Sequence, residues 1–189
     1  MAKAAKTLPP QDPLTAGRRA LHKRRNAAQD RRDALGLLGR VVVLAAAAWV
    51  LFTQVFLLTQ AKGSSMFPAV KDGDLLICYR LQKTYAKNDV VVYTQGGKLR
   101  VGRILGREGD LVALDDSGTL VVNGAVQSGE ILYPTYAKEA LEYPYTVPEG
   151  CFFVLGDYRT QSEDSRDFGP VPLEDVQAKV ITLLRRRSL

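Results

Sequence analysis

The stretch from Val41 to Ala61 constrains this chain most, because it contains no charged residue. At about 1.5 Å of rise per residue, a helix of this length spans roughly 31 Å, which matches the hydrocarbon core of a bilayer. Thr53 and Gln54 lower its hydropathy without excluding insertion. A buried helix of a soluble core is the alternative, but such helices seldom run this long without a charge. The pattern predicts a transmembrane helix over residues 41–61.

The two sides of this stretch differ in charge. Residues 1–40 carry ten Lys and Arg against three Asp, a net charge of +7, whereas residues 62–189 carry a net charge of −1. Because basic flanks of membrane helices stay in the cytoplasm, we expect a single-pass protein of the cell membrane with a cytoplasmic N-terminal segment and an extracytoplasmic domain over 62–189. The basic segment is interpreted as a flank that contacts membrane lipid, not nucleic acid.

A cleaved signal peptide is the competing interpretation of the same stretch. The basic lead of 40 residues is too long for a usual leader, and Thr59-Gln60-Ala61 is a poor cleavage site. We therefore expect an uncleaved anchor.

Short β-rich segments bounded by turn residues follow the apolar stretch, which predicts a mainly β domain of coiled antiparallel sheets. Asn123-Gly124 predicts a hairpin turn. Residues 125–149 show little pattern and are expected to be irregular. The predicted strands are Asp74–Arg80, Asp89–Thr94, Lys98–Leu105, Asp110–Leu114, Thr119–Val122, Cys151–Leu155 and Val176–Leu184.

The residue types of the domain limit its chemistry. The single histidine, His22, lies in the basic segment, so residues 62–189 cannot form a Ser-His-Asp or Cys-His site. They also lack the His and Cys clusters of a zinc site, and neither metal nor cofactor is expected. A hydrolase here needs a carboxylate pair, or a serine with a base such as lysine. Cys78 and Cys151 are expected to be small buried side chains and not a disulfide.

Four segments, in this order after one membrane helix, resemble those of bacterial type I signal peptidases. These are membrane-anchored serine endopeptidases that remove signal peptides from exported preproteins, so the resemblance implies signal peptides as partners and no cofactor. The resemblance covers roughly Ala61 to Lys179. The segments are Gly63–Pro68 (GSSMFP), Gly102–Asp110 (GRILGREGD), Val121–Gly124 (VVNG) and Gly156–Gly169 (GDYRTQSEDSRDFG).

The resemblance also implies roles for the matching residues. Ser65 is the nucleophile, its N–H helps to bind the oxyanion, and Ser162 carries the hydroxyl that orients the catalytic lysine. Met66 and Pro68 shape the turn that presents Ser65. The residues expected to brace the last segment through ion pairs are Asp157, Arg159, Asp164 and Arg166.

The sequence departs from the family at one catalytic position, because Gly102 stands where the resemblance places the lysine base. Lys98, Arg100 and Lys62 are nearby cations, and Arg100 is a poor base because a guanidinium stays charged. Two interpretations remain open: an active peptidase with a displaced lysine or with an oxyanion hole alone, and an impaired homologue that binds peptides and assists pilin or surface-protein assembly. A LexA-like autoprotease is a third and weaker one, since a membrane span is present.

Overall fold

The computed structural model describes residues 13–127 and 133–185, and side chains from residue 32 onward. The chain divides into two units, one ending at Trp49 and the other starting at Val50. Helix α1 covers Pro13–Val50, and a π-helical turn continues it over Leu51–Val55. Within the described residues, Arg32–Val55 is the one helical stretch long and apolar enough to cross a membrane.

The helix ends earlier than the sequence indicated. The span was predicted to run to Ala61, but Phe56–Gln60 form a strand that pairs with the next strand of the domain. A short continuous apolar run has no periodicity that separates strand from helix, so the boundary could not be placed from the pattern. The predicted division into segments 1–40, 41–61 and 62–189 therefore shifts at this junction, where the helical stretch stops at Val55.

Eleven strands follow within the described residues, together with a four-residue helix, α2, at Ser165–Phe168. The strands are β1 Phe56–Gln60, β2 Leu75–Tyr79, β3 Val90–Gln95, β4 Lys98–Arg107, β5 Leu111–Leu114, β6 Leu120–Val122, β7 Ala125–Val126, β8 Tyr145–Thr146, β9 Cys151–Leu155, β10 Val171–Pro172 and β11 Val176–Leu184.

The strands form two sheets in which every pairing is antiparallel. The larger sheet has the order β1-β2-β11-β3-β4-β9-β10, and the smaller has the order β7-β6-β5-β8. The expected mainly β fold with antiparallel sheets is confirmed. The hairpin between β6 and β7 turns at Asn123 and Gly124, whose φ angles of 53° and 78° are those of the tight turn that suits twisted strands.

Strand β4 organises the core because it lies between β3 and β9 in the middle of the larger sheet. Its side chains alternate between faces, as in any strand. Val101 packs against the cluster around Met66 and Val92, whereas Ile104 belongs to the cluster that contains Tyr93 and Val154. A third cluster, around Leu105, Val112 and Phe153, joins the two sheets. The start of β4 and the end of β1 frame the candidate site.

Candidate active site

The loop between β1 and β2 carries Ser65 and is closed at its base by backbone hydrogen bonds. The Ala61 N–H donates to the Asp74 carbonyl over 2.8 Å, and the Gly73 N–H donates to the Ala61 carbonyl over 2.9 Å. The Gly63 N–H donates to a carboxylate oxygen of Asp72 over 2.7 Å. The loop therefore leaves and re-enters the sheet at fixed points, which restricts where Ser65 can lie.

Met66 anchors the turn that presents Ser65. Its side chain is 3% exposed in the core, and its carbonyl accepts a hydrogen bond from the Val70 N–H over 2.8 Å. The Phe67 N–H closes the preceding turn on the Ser64 carbonyl. Pro68 follows a cis peptide bond. Burial of Met66 turns the neighbouring Ser65 outward, where it is half-buried.

Ser65 is joined to the segment Gly156–Gly169 through its backbone. The Tyr158 N–H donates to the Ser65 carbonyl over 2.9 Å. Within the described part of the chain, neither the Ser65 hydroxyl nor its N–H is hydrogen bonded to another protein group. A serine with a free hydroxyl and a free N–H has what a nucleophile and an oxyanion donor require.

Gly156 lies between Ser65 and Ser162. A Cβ added at Gly156 would lie 2.6 Å from the Ser65 carbonyl oxygen and 2.8 Å from Ser162 Oγ, and it would also meet Ser162 Cβ. The two hydroxyl-bearing residues named by the sequence are thus brought together, at a spacing that only glycine allows.

A buried network fixes the Ser162 hydroxyl. It donates to Asp164 Oδ2 over 2.6 Å and accepts from an Arg166 guanidinium nitrogen over 3.1 Å. The same guanidinium forms a salt bridge with Asp164 at 2.8 Å and donates to the Arg159 carbonyl over 2.6 Å. The side chains of Asp164 and Arg166 are 1% and 2% exposed, so their charges are compensated almost entirely by each other.

Burial and ion pairing act in opposite directions on the pKa of the Asp164 carboxyl. Burial alone would raise the pKa of its carboxyl, but the Arg166 guanidinium, the Ser162 hydroxyl and the Gly156 N–H together hold that pKa below its usual value. Asp164 is therefore ionised at neutral pH and acts as a fixed acceptor.

Of the other two residues expected to brace this segment, Asp157 forms an ion pair and Arg159 forms hydrogen bonds to uncharged groups. Asp157 pairs with Arg103 of β4, with donor–acceptor distances of 2.8 and 2.7 Å in a two-pronged contact. Arg159 makes no salt bridge with any residue in the described ranges; its guanidinium donates to the Gly156 carbonyl and to Thr135 Oγ1, each over 2.7 Å. Burial lowers the pKa of Arg159 to about 10, so it stays charged at neutral pH.

Gly102 is buried in the middle of β4, and its surroundings leave no room for a side chain. A Cβ there would lie 2.5 Å from Val154 Cγ1, 3.2 Å from Tyr93 Cε1 and 3.4 Å from the Leu155 carbonyl oxygen. The position that the resemblance assigns to the base is thus closed by Val154 of β9.

A cavity of about 760 Å³ opens beside Ser65. Its walls come from the end of β1 with the serine loop, from the start of β4, and from the last family segment. The ionisable residues that line it are Lys62, Lys98, Arg100 and Glu163. None of the residues of strand β2 lines this cavity.

The lysines of this cavity do not contact Ser65. Lys62 and Lys98 are both exposed, and neither is hydrogen bonded to the Ser65 hydroxyl. Arg100 pairs with Glu163 at 2.9 Å. Among the residues that the structure describes, none that could act as a base is hydrogen bonded to the Ser65 hydroxyl.

Lys138 belongs to the site but was not identified as a site residue from the sequence. Its ammonium donates to the Ser162 carbonyl over 2.8 Å and to both oxygens of Asp167. It lies in the stretch 125–149 that was expected to be irregular. Because the contact joins residues far apart in a loop without periodicity, no pattern in the sequence could have placed it.

The cysteines are both free, and no disulfide joins them. Cys78 is fully buried, and burial raises the pKa of its thiol to about 11. Cys151 is only partly buried, at the start of β9. The expectation of two buried thiols is thus confirmed for Cys78 and not for Cys151.

An antiparallel β domain with a serine loop held against a buried Asp–Arg network defines a candidate serine hydrolase centre. Comparison with known proteins gives the family: the model described as "Signal peptidase, peptidase S26" matches residues 34–184. The chain belongs to this signal peptidase family.

Several curated proteins are similar to the chain. Signal peptidase IB of Staphylococcus aureus is 31% identical over 167 residues, covering 76% of this chain and 87% of the relative. Signal peptidase I of Bacillus caldolyticus is 34% identical over 136 residues, covering 63% and 74%. The probable thylakoidal processing peptidase 2 of Arabidopsis thaliana is 32% identical over 129 residues, covering 60% of this chain and 34% of that protein.

The chain spans about a third of the length of the thylakoidal relatives, 34% and 38% of two of them. Among solved structures, a signal peptidase I from Enterococcus faecalis is 30% identical and superposes with a TM-score of 0.46, covering 53% of this chain and 98% of that one.

Proposed function

We propose that this chain is a membrane-anchored serine endopeptidase that removes signal peptides from exported preproteins, with Ser65 as the nucleophile. One observation carries the proposal. The Ser65 hydroxyl and N–H have no hydrogen-bond partner among the described residues and lie beside an open cavity, while the Ser65 carbonyl accepts a hydrogen bond from the Tyr158 N–H of the braced segment. Family membership over residues 34–184 supports the same chemistry.

The reaction follows from this arrangement. Ser65 Oγ attacks the carbonyl carbon of the scissile peptide, and the Ser65 N–H donates to the oxygen as it becomes negative. The C–N bond then breaks, the amine of the mature protein leaves with a proton, and a serine ester with the signal peptide remains. Water hydrolyses that ester and restores the hydroxyl. Lys62 and Lys98, the lysines of the cavity, are the candidates for the base that takes the Ser65 proton.

The substrate binds as an extended segment. Strand β1 lies at the edge of the larger sheet, so one side of its backbone is available for pairing with a peptide. Thr59 and Gln60, at the end of β1, line the same cavity as Ser65. A peptide that extends the sheet along β1 is thereby directed towards the serine.

The topology is part of the proposal. The apolar stretch anchors the chain in the cell membrane once, the basic N-terminal segment stays in the cytoplasm beside membrane lipid, and the β domain acts on the extracytoplasmic side. The net charge of −1 over residues 62–189 supports a peptide partner and not nucleic acid.

A second candidate function is supported by Gly102. Because Val154 fills the space at the position of the lysine, the domain could have kept the peptide groove without rapid cleavage, as a homologue that binds peptides and assists pilin or surface-protein assembly.

Cleavage of a preprotein by the detergent-purified chain distinguishes the two candidates. The proposed peptidase cleaves, Ser65→Ala abolishes cleavage, and Ser64→Ala, which removes the neighbouring exposed hydroxyl, retains it. Lys62→Met and Lys98→Met identify the base, whose loss should slow the reaction by about 10²–10⁴-fold. Peptide binding without any cleavage would favour the assembly role and reject the peptidase.

A further inference from the structure

The Arg100 side chain has a hydrogen-bond donor that no described residue satisfies. Its side chain is 25% exposed, and its Nε atom is buried without a hydrogen-bond partner in the part of the chain that the structure describes. The ion pair with Glu163 is its sole polar contact within those same residues. Since buried polar groups are nearly always hydrogen bonded, Arg100 has unused capacity to donate.

The geometry around Arg100 limits where its guanidinium can lie. The guanidinium carbon lies 5.8 Å from the centre of the Phe168 ring, at a distance where a cation is attracted to the ring face. Arg100 also lies two residues before Gly102 on the same face of β4. Arg100 therefore lies on the strand face of Gly102, and it is one of the residues that line the cavity containing Ser65.

Glu163 is a weak partner for this guanidinium. Its side chain is 62% exposed, and ion pairs with an exposed member contribute little because water screens them. A second carboxylate that binds from within the cavity is less exposed to water and can take its place.

The cavity as a whole carries an excess of positive charge. Lys62, Lys98 and Arg100 line it, and Glu163 is the single acidic residue among the described residues that form its walls. The ligand that suits these walls carries negative charge. The flat fork of an arginine matches the two oxygens of a carboxylate.

We propose that the cavity beside Ser65 selects peptides with an aspartate or glutamate side chain close to the cut site, and that Arg100 binds this carboxylate in place of Glu163. The inference rests on the proposed peptidase function and names the substrate class for that site. The walls contributed by β1 and β4 favour an extended peptide over a lipid headgroup, since both are strands and β1 lies at the edge of the larger sheet, where a peptide can pair with it.

Binding measurements with the inactive chain test this inference apart from cleavage. The full chain with Ser65→Ala is titrated in detergent with fluorescent peptides that have alanine one and three residues before the cut. Paired peptides differ only by Glu or Gln, placed in turn two residues before the cut and one or two residues after it. At one of these positions the Glu peptide should bind about tenfold more tightly, as one charge-assisted hydrogen-bonded pair provides.

Variants assign the preference to Arg100. Arg100→Met should reduce the preference to about twofold or less, whereas Arg80→Met, an equal loss of charge at an exposed residue outside the cavity, should leave it unchanged. Glu163→Gln should strengthen binding of the Glu peptide, because the competing carboxylate is removed. Equal binding of every pair, binding of neither peptide, or a full preference in Arg100→Met would each overturn the inference.

Two further arms separate the alternatives. Binding to phosphatidylglycerol vesicles that depends on Arg100, together with equal binding of the paired peptides, would assign the site to lipid phosphate and overturn the inference. Cleavage by the chain with Ser65 intact is scored separately. Equal cleavage of the Glu and Gln peptides counts against the selectivity alone, and loss of all cleavage with the preference retained counts against the peptidase alone.

Discussion

Val154 Cγ1 lies where a side chain at Gly102 would have to pass, 2.5 Å from the position of a Cβ on that glycine. The glycine at position 102 and the packing of β9 against β4 are therefore coupled. A test that introduces lysine at position 102 alone would change the packing of the core as well as the chemistry.

Gly102→Ala should lower the free energy of unfolding by about 1–3 kcal/mol, because the added methyl group overpacks the contact with Val154. In a chain that already carries Val154→Ala, the same Gly102→Ala change should lower the free energy of unfolding much less. Chemical unfolding of the four proteins in a double-mutant cycle gives the coupling energy. Additive effects of the two substitutions would contradict the contact.

Gly102→Lys combined with Val154→Ala should increase the rate of signal-peptide cleavage, since the removed methyl groups make room for the lysine side chain at position 102. A restored general base is expected to contribute about 10²–10⁴-fold. Gly102→Lys alone should gain much less. The rate is measured with a preprotein substrate at several pH values, and Ser65→Ala in the double variant is the control that must abolish it. No gain in the double variant would show that the position no longer serves a base.

Asp164→Asn should lower the free energy of unfolding by about 3–5 kcal/mol, because it leaves the buried Arg166 guanidinium without its charge partner. Asp116→Asn, at an exposed turn, is the matched control and should change stability by less than about 0.5 kcal/mol. Denaturant unfolding of both variants measures the difference. Similar losses in the two would mean that the Asp164–Arg166 pair does not stabilise the fold.

The free energy of unfolding of the domain should fall at acid pH because Asp164 becomes protonated. Its pKa is lower in the folded than in the unfolded chain, so its contribution is fully present above the ordinary carboxyl pKa of about 3.9 and is lost as the pH falls below that value towards the depressed pKa. The free energy of unfolding of the wild type should fall below about pH 4. Asp164→Asn should show a shallower fall over the same range, and an unchanged slope would reject Asp164 as a cause.

Thiol labelling should report both the burial of the cysteines and the topology. Cys151 should react in the native protein, whereas Cys78, buried and with a pKa raised to about 11, should react only after unfolding. In intact cells an impermeant reagent should reach Cys151, with Cys151→Ser as the control. Labelling of Cys151 only after lysis would reverse the proposed orientation.

Much of the fold follows from local patterns. The β-rich runs between turn residues place all seven predicted strands within a residue or two, because alternation and turn chemistry are local properties. The end of the helix cannot be predicted from local patterns. The apolar run in Phe56–Gln60 suits a helix or a strand equally well, and pairing with β2 decides for the strand. The two-residue strands β8 and β10 exist only through their partners, so their own residues carry no signal.

Part of the candidate site could likewise be predicted from the sequence, and part could not. The order of the segments located Ser65, Gly102 and Ser162, and the structure brings Ser65 and Ser162 together at Gly156. The pairing of Asp157 with Arg103 and the contact of Lys138 with the Ser162 carbonyl depend on tertiary packing. Sequence distance alone could not assign those partners.

Gly156 gives the site a simple mechanical property. Since a Cβ at position 156 would meet both the Ser65 carbonyl oxygen and the Ser162 side chain, a single methyl group there would push these two groups apart. Such a variant keeps every reactive group of the chain and changes only their spacing. Such a variant would be expected to bind a preprotein with the same hydroxyls and charges as the wild type and not to cleave it.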